Sequence, residues 1–255
     1  MNIVVTNYID DMKHYSKVDG IIAIVFYGFD LINTYFWVVN DLGTSIRNHI
    51  GNEIYASFIN IGFQNQTANN WACLVTAFPS NFLPYIMLSL ILIIRKEKIS
   101  SLGFQKHHNV AASLIGITAG ILITLLMYSV LFFCGKPKVF SNLQRLNLSI
   151  PVLLSNILLT GLTEELSYRA YIQSRITGLI RNRWIAIIVV GLMFWVSHFF
   201  NDFLSGPMTI DILLQGIFMV WIHIVFLFLY RKTGNILTVA FCHGIYDFMI
   251  APIYF

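Results

Sequence analysis

PVLLSNILLTGLTEELSYR, residues 151–169, is an apolar run long enough to cross a bilayer, yet it ends on two glutamates and an arginine. A membrane span takes about 20 apolar residues. A charged side chain at mid-bilayer costs roughly 2.5 to 3.5 kcal/mol even on a lenient insertion scale, so Glu164, Glu165 and Arg169 in this setting ask for a function. Two later apolar stretches carry the same kind of group: Phe194-Trp195-Val196-Ser197-His198 and His243-Gly244-Ile245-Tyr246-Asp247. The three read together as one buried catalytic site.

The composition makes the setting a membrane. Charged residues are 11% of the 255 and hydrophobic residues 57%, against roughly 25% charged in ordinary soluble domains. Outward from residues 151–169, apolar stretches recur at Gly20–Val39, Cys73–Ile94, Val110–Phe133, Pro151–Tyr168, Trp184–Phe200, Ile210–Tyr230 and Ile236–Phe255. The fold class is therefore all-α, a polytopic bundle of about seven to eight spans with its site among the C-terminal helices, because backbone exposed to lipid must satisfy its own hydrogen bonds. Pro79 and Pro84 are expected to kink the second span. Glu53–Phe63 is too short to span and is expected in the interface. Residues 1–109 supply the N-terminal spans and loops, and 110–255 the catalytic core of one integral membrane unit.

Basic residues gather in three loops: Arg95, Lys96, Lys98 and Lys106; Arg175, Arg181 and Arg183; Arg231 and Lys232. With these loops cytoplasmic, the N-terminus is inside and the C-terminus outside. Lys136, Lys138 and Arg145 form one dissenting loop. The net charge of +4 belongs to this orientation signal and implies no nucleic-acid partner. Asp10, Asp11, Lys13, Lys17 and Asp19 leave no cleavable signal, so the first span is expected to be an uncleaved anchor. Cys73, Cys134 and Cys242 have neither metal-type nor disulfide-framework spacing.

Spacing suggests roles. Arg169 can reach back one turn to Glu165, which leaves Glu164 aimed elsewhere with Tyr168 on its side. Glu164 is thus the group for proton transfer with water. Phe194 and His198 share a face of their helix, and the ring limits water beside the imidazole. His243 and Asp247 repeat the spacing, and the acid can orient the imidazole so that its other N–H is a preplaced oxyanion donor. His223 has no partner at helical spacing and reads as a packing residue, while Asp30 and Asn33 could reach the site or bond to neighbouring helices and, having no motif, read as the latter. Gly116 and Gly120 form a GxxxG pattern suited to close helix contact or dimerisation, and the oligomeric state is left open.

In order and spacing, EExxxR, FxxxH and HxxxD resemble the CPBP family, the CAAX-type proteases and bacteriocin-processing or immunity enzymes also called Abi proteins. The resemblance runs from Leu159 to Asp247, and Ser101-Leu102-Gly103-Phe104 looks like the family's short Leu-Gly element. It implies a glutamate-type intramembrane endopeptidase with no cofactor and no metal, in a bacterial cell membrane, acting on a peptide or protein in or at the bilayer. By position, Glu164 matches the catalytic glutamate, His198 the histidine that helps activate water, and His243 the oxyanion-stabilising histidine. Asp247 stands where the family has Asn or Asp, and Glu165, Arg169 and Phe194 fall in supporting positions. Three rivals remain at this stage. Glu164, His198 and His243 could hold a catalytic zinc ion, although no HExxH is present. The chain could also be a non-catalytic immunity or scaffold protein, or a transporter with Glu164 as carrier.

Overall fold

The computed structural model describes residues 15–133, 149–205 and 207–254. Lys136, Lys138, Arg145, Cys134, Asp10, Asp11 and Lys13 lie outside the described residues. Among the described residues there is no strand. The helices are α1 (Lys17–Val38), α2 (Asp41–Asn60), α3 (Asn65–Arg95), α4 (Asn109–Phe133), a composite α5 (150–178), α6 (Arg183–Ser205), α7 (Ile210–Thr233) and α8 (Ile236–Tyr254). Five of them, α1, α3, α4, α6 and α7, are long and apolar enough to cross a membrane, and α8 is apolar over Ile236–Ile250. These six and α5 correspond to the seven stretches read from the sequence.

The expected interfacial piece Glu53–Phe63 is part of a longer helix. Asn40 accepts from the backbone N–H groups of Leu42 and Gly43, so α2 starts at Asp41 and runs to Asn60. It is not among the helices apolar enough to span. The second span is also longer than its apolar core, and α3 continues as one helix through Pro79 and Pro84.

One end of the bundle gathers the basic loops. The Arg95 guanidinium meets Asp19 at the start of α1 at 2.7 Å, and Asp19 completes a capping box with Ser16. Buried Arg175, near the end of α5, pairs with Glu97 just after α3 and with Ser101. At the same level the Ile236 N–H donates to the Gly103 carbonyl, Gln105 donates to the Gly234 carbonyl, and Asn235 donates to Asn109. The starts of α1, α4 and α8 and the ends of α3, α5 and α7 therefore share one face with the 95–106, 175–183 and 231–232 basic groups. This is the sidedness that the positive-inside rule requires of a cytoplasmic face. α2 packs on the first half of α3, through Gly51 against Thr76 and Phe58 stacked on Trp71, and so lies towards the opposite end.

Close helix contact is concentrated where the motifs are. A Cβ on Gly120 would stand 2.6 Å from the Cys242 carbonyl oxygen, and one on Gly116 would collide with the Thr238 carbonyl. The GxxxG pattern is thus consumed inside the chain, seating α4 against α8. Gly161 of α5 faces the Ala240 carbonyl and the Gly244 N–H of α8, and Gly244 in turn faces the Asn156 carbonyl. Tyrosine hydroxyls fasten the other seams: Tyr85 donates to the Leu158 carbonyl, Tyr27 to that of Met193 and Tyr128 to that of Met249. Gly120→Leu should overpack the α4–α8 seam at a cost of about 1–3 kcal/mol, lowering the thermal midpoint of the purified protein in detergent. A dimer that dissociates while the midpoint holds would contradict this intramolecular role.

Candidate active site

The glutamates sit on a helix that is not uniformly α. In α5 the segments Ser155–Gly161 and Glu165–Ile172 are π-helical, separated by the α-turn Leu162–Glu164. The Leu162 N–H reaches back to the Ile157 carbonyl, and that of Gln173 to Tyr168. These five-residue closures widen the helix, and such turns recur at functional sites. The two π segments bracket Glu164.

Glu165 and Arg169 form the buried half of the site. Arg169 Nη1 lies 3.1 Å from Glu165 Oε1, and both side chains have no solvent exposure. The rest of the guanidinium is covered by rings, 4.0 Å over Phe194 and 5.4 Å over Phe226, a placement suited to a delocalised cation. Glu165 Oε1 also accepts from His243 Nδ1 at 2.7 Å. The carboxylate that orients His243 is therefore Glu165 on α5, across the glycine seam. Asp247, which the spacing put in that role, lies instead on the Nε2 side of the ring, with Oδ2 3.3 Å away.

Glu164 faces the other way. Its Oε2 is 3.6 Å from His198 Nε2 and 3.8 Å from His243 Nε2, and it has no hydrogen-bond partner. Both separations exceed direct hydrogen-bond length and leave room for a bridging water. Nδ1 of His198 is 2.9 Å from the Phe194 carbonyl, which can only accept, so Nδ1 carries a proton and Nε2 is the ring atom turned to Glu164. The α6 backbone departs from helical geometry at the next residue, Phe199, with φ −114° and ψ 19°. Phe194, 1% exposed, packs its ring between Arg169, His198 at 4.4 Å and Tyr168 at 5.0 Å. It is the wall against which the charged groups are set.

A cavity of about 290 Å³ opens in front of Glu164 and His198. Its lining includes Ser80, Asn81 and Pro84 of α3 and Asp30 and Thr34 of α1, beside Thr163, Ser167, Tyr168 and Ser197. α1 and α3 thus build one wall of the cavity. Asp30 makes the expected helix-to-helix hydrogen bond, its Oδ2 accepting from the Tyr168 hydroxyl at 3.1 Å, and it also lines the cavity. Its signal was a lone carboxylate within an apolar span. Asn33 does donate to a neighbouring helix, to the Ser80 carbonyl at 2.6 Å. His223 is buried, 3.0 Å from Gln173 Oε1, and Cys242 is buried outside the cavity lining. Among the described residues, no three His, Cys, Asp or Glu side chains are arranged to hold a metal ion.

Residues 146–249 match the family model described as Rce1-like, type II CAAX prenyl endopeptidase Rce1-like. The match contains all three motifs and supports the CPBP resemblance. Over that segment, about two fifths of the chain, the sequence is similar to a family of CAAX-type membrane peptidases. No curated protein and no solved structure matches the chain.

Breaking the inner pair should cost more than removing any exposed charge. Arg169→Met strands Glu165 without its cation, and a stranded buried charge costs about 3–5 kcal/mol. The midpoint of thermal unfolding in detergent should drop accordingly, and Arg169→Met/Glu165→Gln should recover part of the loss. A single variant as stable as the parent would contradict the pairing.

Proposed function

With residues 146–249 matched to a CAAX-type peptidase family, we propose that the chain is an intramembrane endopeptidase in which Glu164 and His198 activate water without a metal ion. The observation that carries this reading is Glu164 Oε2, unpartnered and set 3.6 and 3.8 Å from the Nε2 atoms of two imidazoles. A water held between Glu164 and His198 gives up a proton to the carboxylate as its oxygen bonds to the scissile carbonyl carbon. Negative charge moves to the carbonyl oxygen. His243 receives that charge through Nε2–H, and since Nδ1–H is committed to Glu165, the donor is the imidazolium, accompanied by Glu165 and Asp247. When the C–N bond breaks, the proton taken from water passes to the leaving amine from Glu164 or His198.

Arg169, Glu165 and Phe194 act on this chemistry through others. Arg169 neutralises Glu165, Glu165 fixes the His243 ring, and Phe194 excludes water from behind the imidazoles. Asp247 accepts no share of the oxyanion as a carboxylate, and its part is to hold His243 from the Nε2 side. The substrate is a peptide or protein in or at a bacterial cell membrane, in precursor processing or in bacteriocin immunity.

Comparing membrane and secreted peptides of cells carrying the parent or Glu164→Ala at matched abundance tests the reading. Defined fragments should vanish with the variant; identical profiles would end the catalytic role of Glu164. On an identified substrate, His243→Ala should lower kcat on the order of a hundredfold to a thousandfold, the usual loss of one oxyanion donor. Cleavage should survive a strong zinc chelator, whereas loss restored by added zinc would move the chemistry to a metal.

A further inference from the structure

The carboxylate of Asp30 has no place in the three motifs, and α1 lies outside the matched segment 146–249. It nevertheless lines the same cavity as Glu164 and His198. The Tyr168 hydroxyl donates to its Oδ2 at 3.1 Å, and Tyr168 is itself pinned at 5.0 Å against the Phe194 ring. Asp30 is therefore held in position at the cavity edge. Beside it, Ser167 belongs to the cavity lining, is 1% exposed, and has an Oγ with no hydrogen-bond partner. A buried hydroxyl left unpaired at a cavity wall is an acceptor and donor waiting for a guest.

The charge pattern identifies the guest. No lysine or arginine is among the residues lining the cavity, which include two carboxylates, Asp30 and Glu164, and His198. Deeper in, the one guanidinium, Arg169, is already committed to Glu165. A free peptide C-terminus lodged here would meet two carboxylates and no lysine or arginine. An ammonium or guanidinium would meet a positioned carboxylate and a free hydroxyl, and would offset the excess of acid.

We propose that Asp30, with Ser167, forms a subsite for a cationic group of the substrate peptide next to the scissile bond, making this an endopeptidase that prefers lysine or arginine there. The inference rests on the peptidase reading for its reaction, though not for its binding. Asp30 is a specificity-determining residue in this account, and Glu164 and His198 remain the reacting groups.

The test uses the full chain reconstituted in lipid vesicles and a library of N-terminally acetylated peptides. One position at a time carries lysine, arginine or uncharged norleucine, and cut sites are mapped by mass spectrometry. The parent should cut lysine or arginine sequences about tenfold faster than norleucine ones at one fixed position. Asp30→Asn should bring that ratio close to one and Asp30→Glu should keep it, a comparison that a general fold defect, slowing both alike, does not mimic. The same peptides with free N-termini are run alongside, and a preference seen only with them would assign the cation to the peptide amine and overturn the side-chain subsite. No preference in the parent, or a ratio untouched by Asp30→Asn, would overturn it as well. Binding of the same peptides to Glu164→Ala is measured in parallel. Lysine-dependent binding that Asp30→Asn abolishes, with no cleavage by the parent, would retain the subsite and reject the peptidase. Cleavage with no charge dependence of binding or rate would do the reverse.

Discussion

The backbones of α5 and α8 touch, and the site follows from that contact. Gly161 sits against the Ala240 carbonyl and Gly244 against the Asn156 carbonyl, a separation that any side chain would widen. Without a hydrophobic force between helices in lipid, close packing of small residues is what joins them. Gly116 and Gly120 extend the same seam by seating α4 on the other side of α8. Because α5 and α8 approach this closely, Glu165 reaches His243 at 2.7 Å, and a carboxylate on one helix sets the ring on another.

That contact divides two adjacent glutamates between two tasks. Glu165 is fully buried, paired with Arg169 and hydrogen-bonded to His243. Glu164 is 24% exposed and turned to the cavity, where it faces His198 and His243 beyond direct hydrogen-bond range. The inner glutamate is structural electrostatics: it makes a buried arginine and a buried imidazole tolerable to each other. The outer one keeps an Oε2 with no hydrogen-bond partner, which is what the proposed role with water calls for. Aromatic cover from Phe194 and Phe226 over Arg169 keeps the inner network dry, so the two tasks do not mix.

Much of this was legible in the residues. Apolar length located the spans, and four-residue spacing paired Arg169 with Glu165 and set Phe194 beside His198. Other features lie beyond pattern. Nothing in SNILLTG or ELSYRAYI announces a five-residue hydrogen-bond closure, so the π-helical turns around Glu164 emerge only from the packed helix. Spacing favoured Asp247 as the orienting acid of His243 because it counts neighbours on one helix, whereas Glu165 arrives from another. For Asp30 a helix-to-helix hydrogen bond is legible but its place on the cavity is not, because its partner Tyr168 is 138 residues away, a distance over which sequence gives no geometry. The polar face of α2 likewise hid a 20-residue helix behind a shorter apolar piece.

The central claim is that Glu164 and His198 act as one unit on one water, and a double-mutant cycle on cleavage rate addresses it most directly. Rates for the parent, Glu164→Gln, His198→Ala and the double variant would be taken on one substrate in lipid vesicles. Groups that share a step are strongly non-additive, so the double variant should be no slower than the more damaged single variant. Losses that multiply, or a Glu164→Gln rate near that of the parent, would contradict the account.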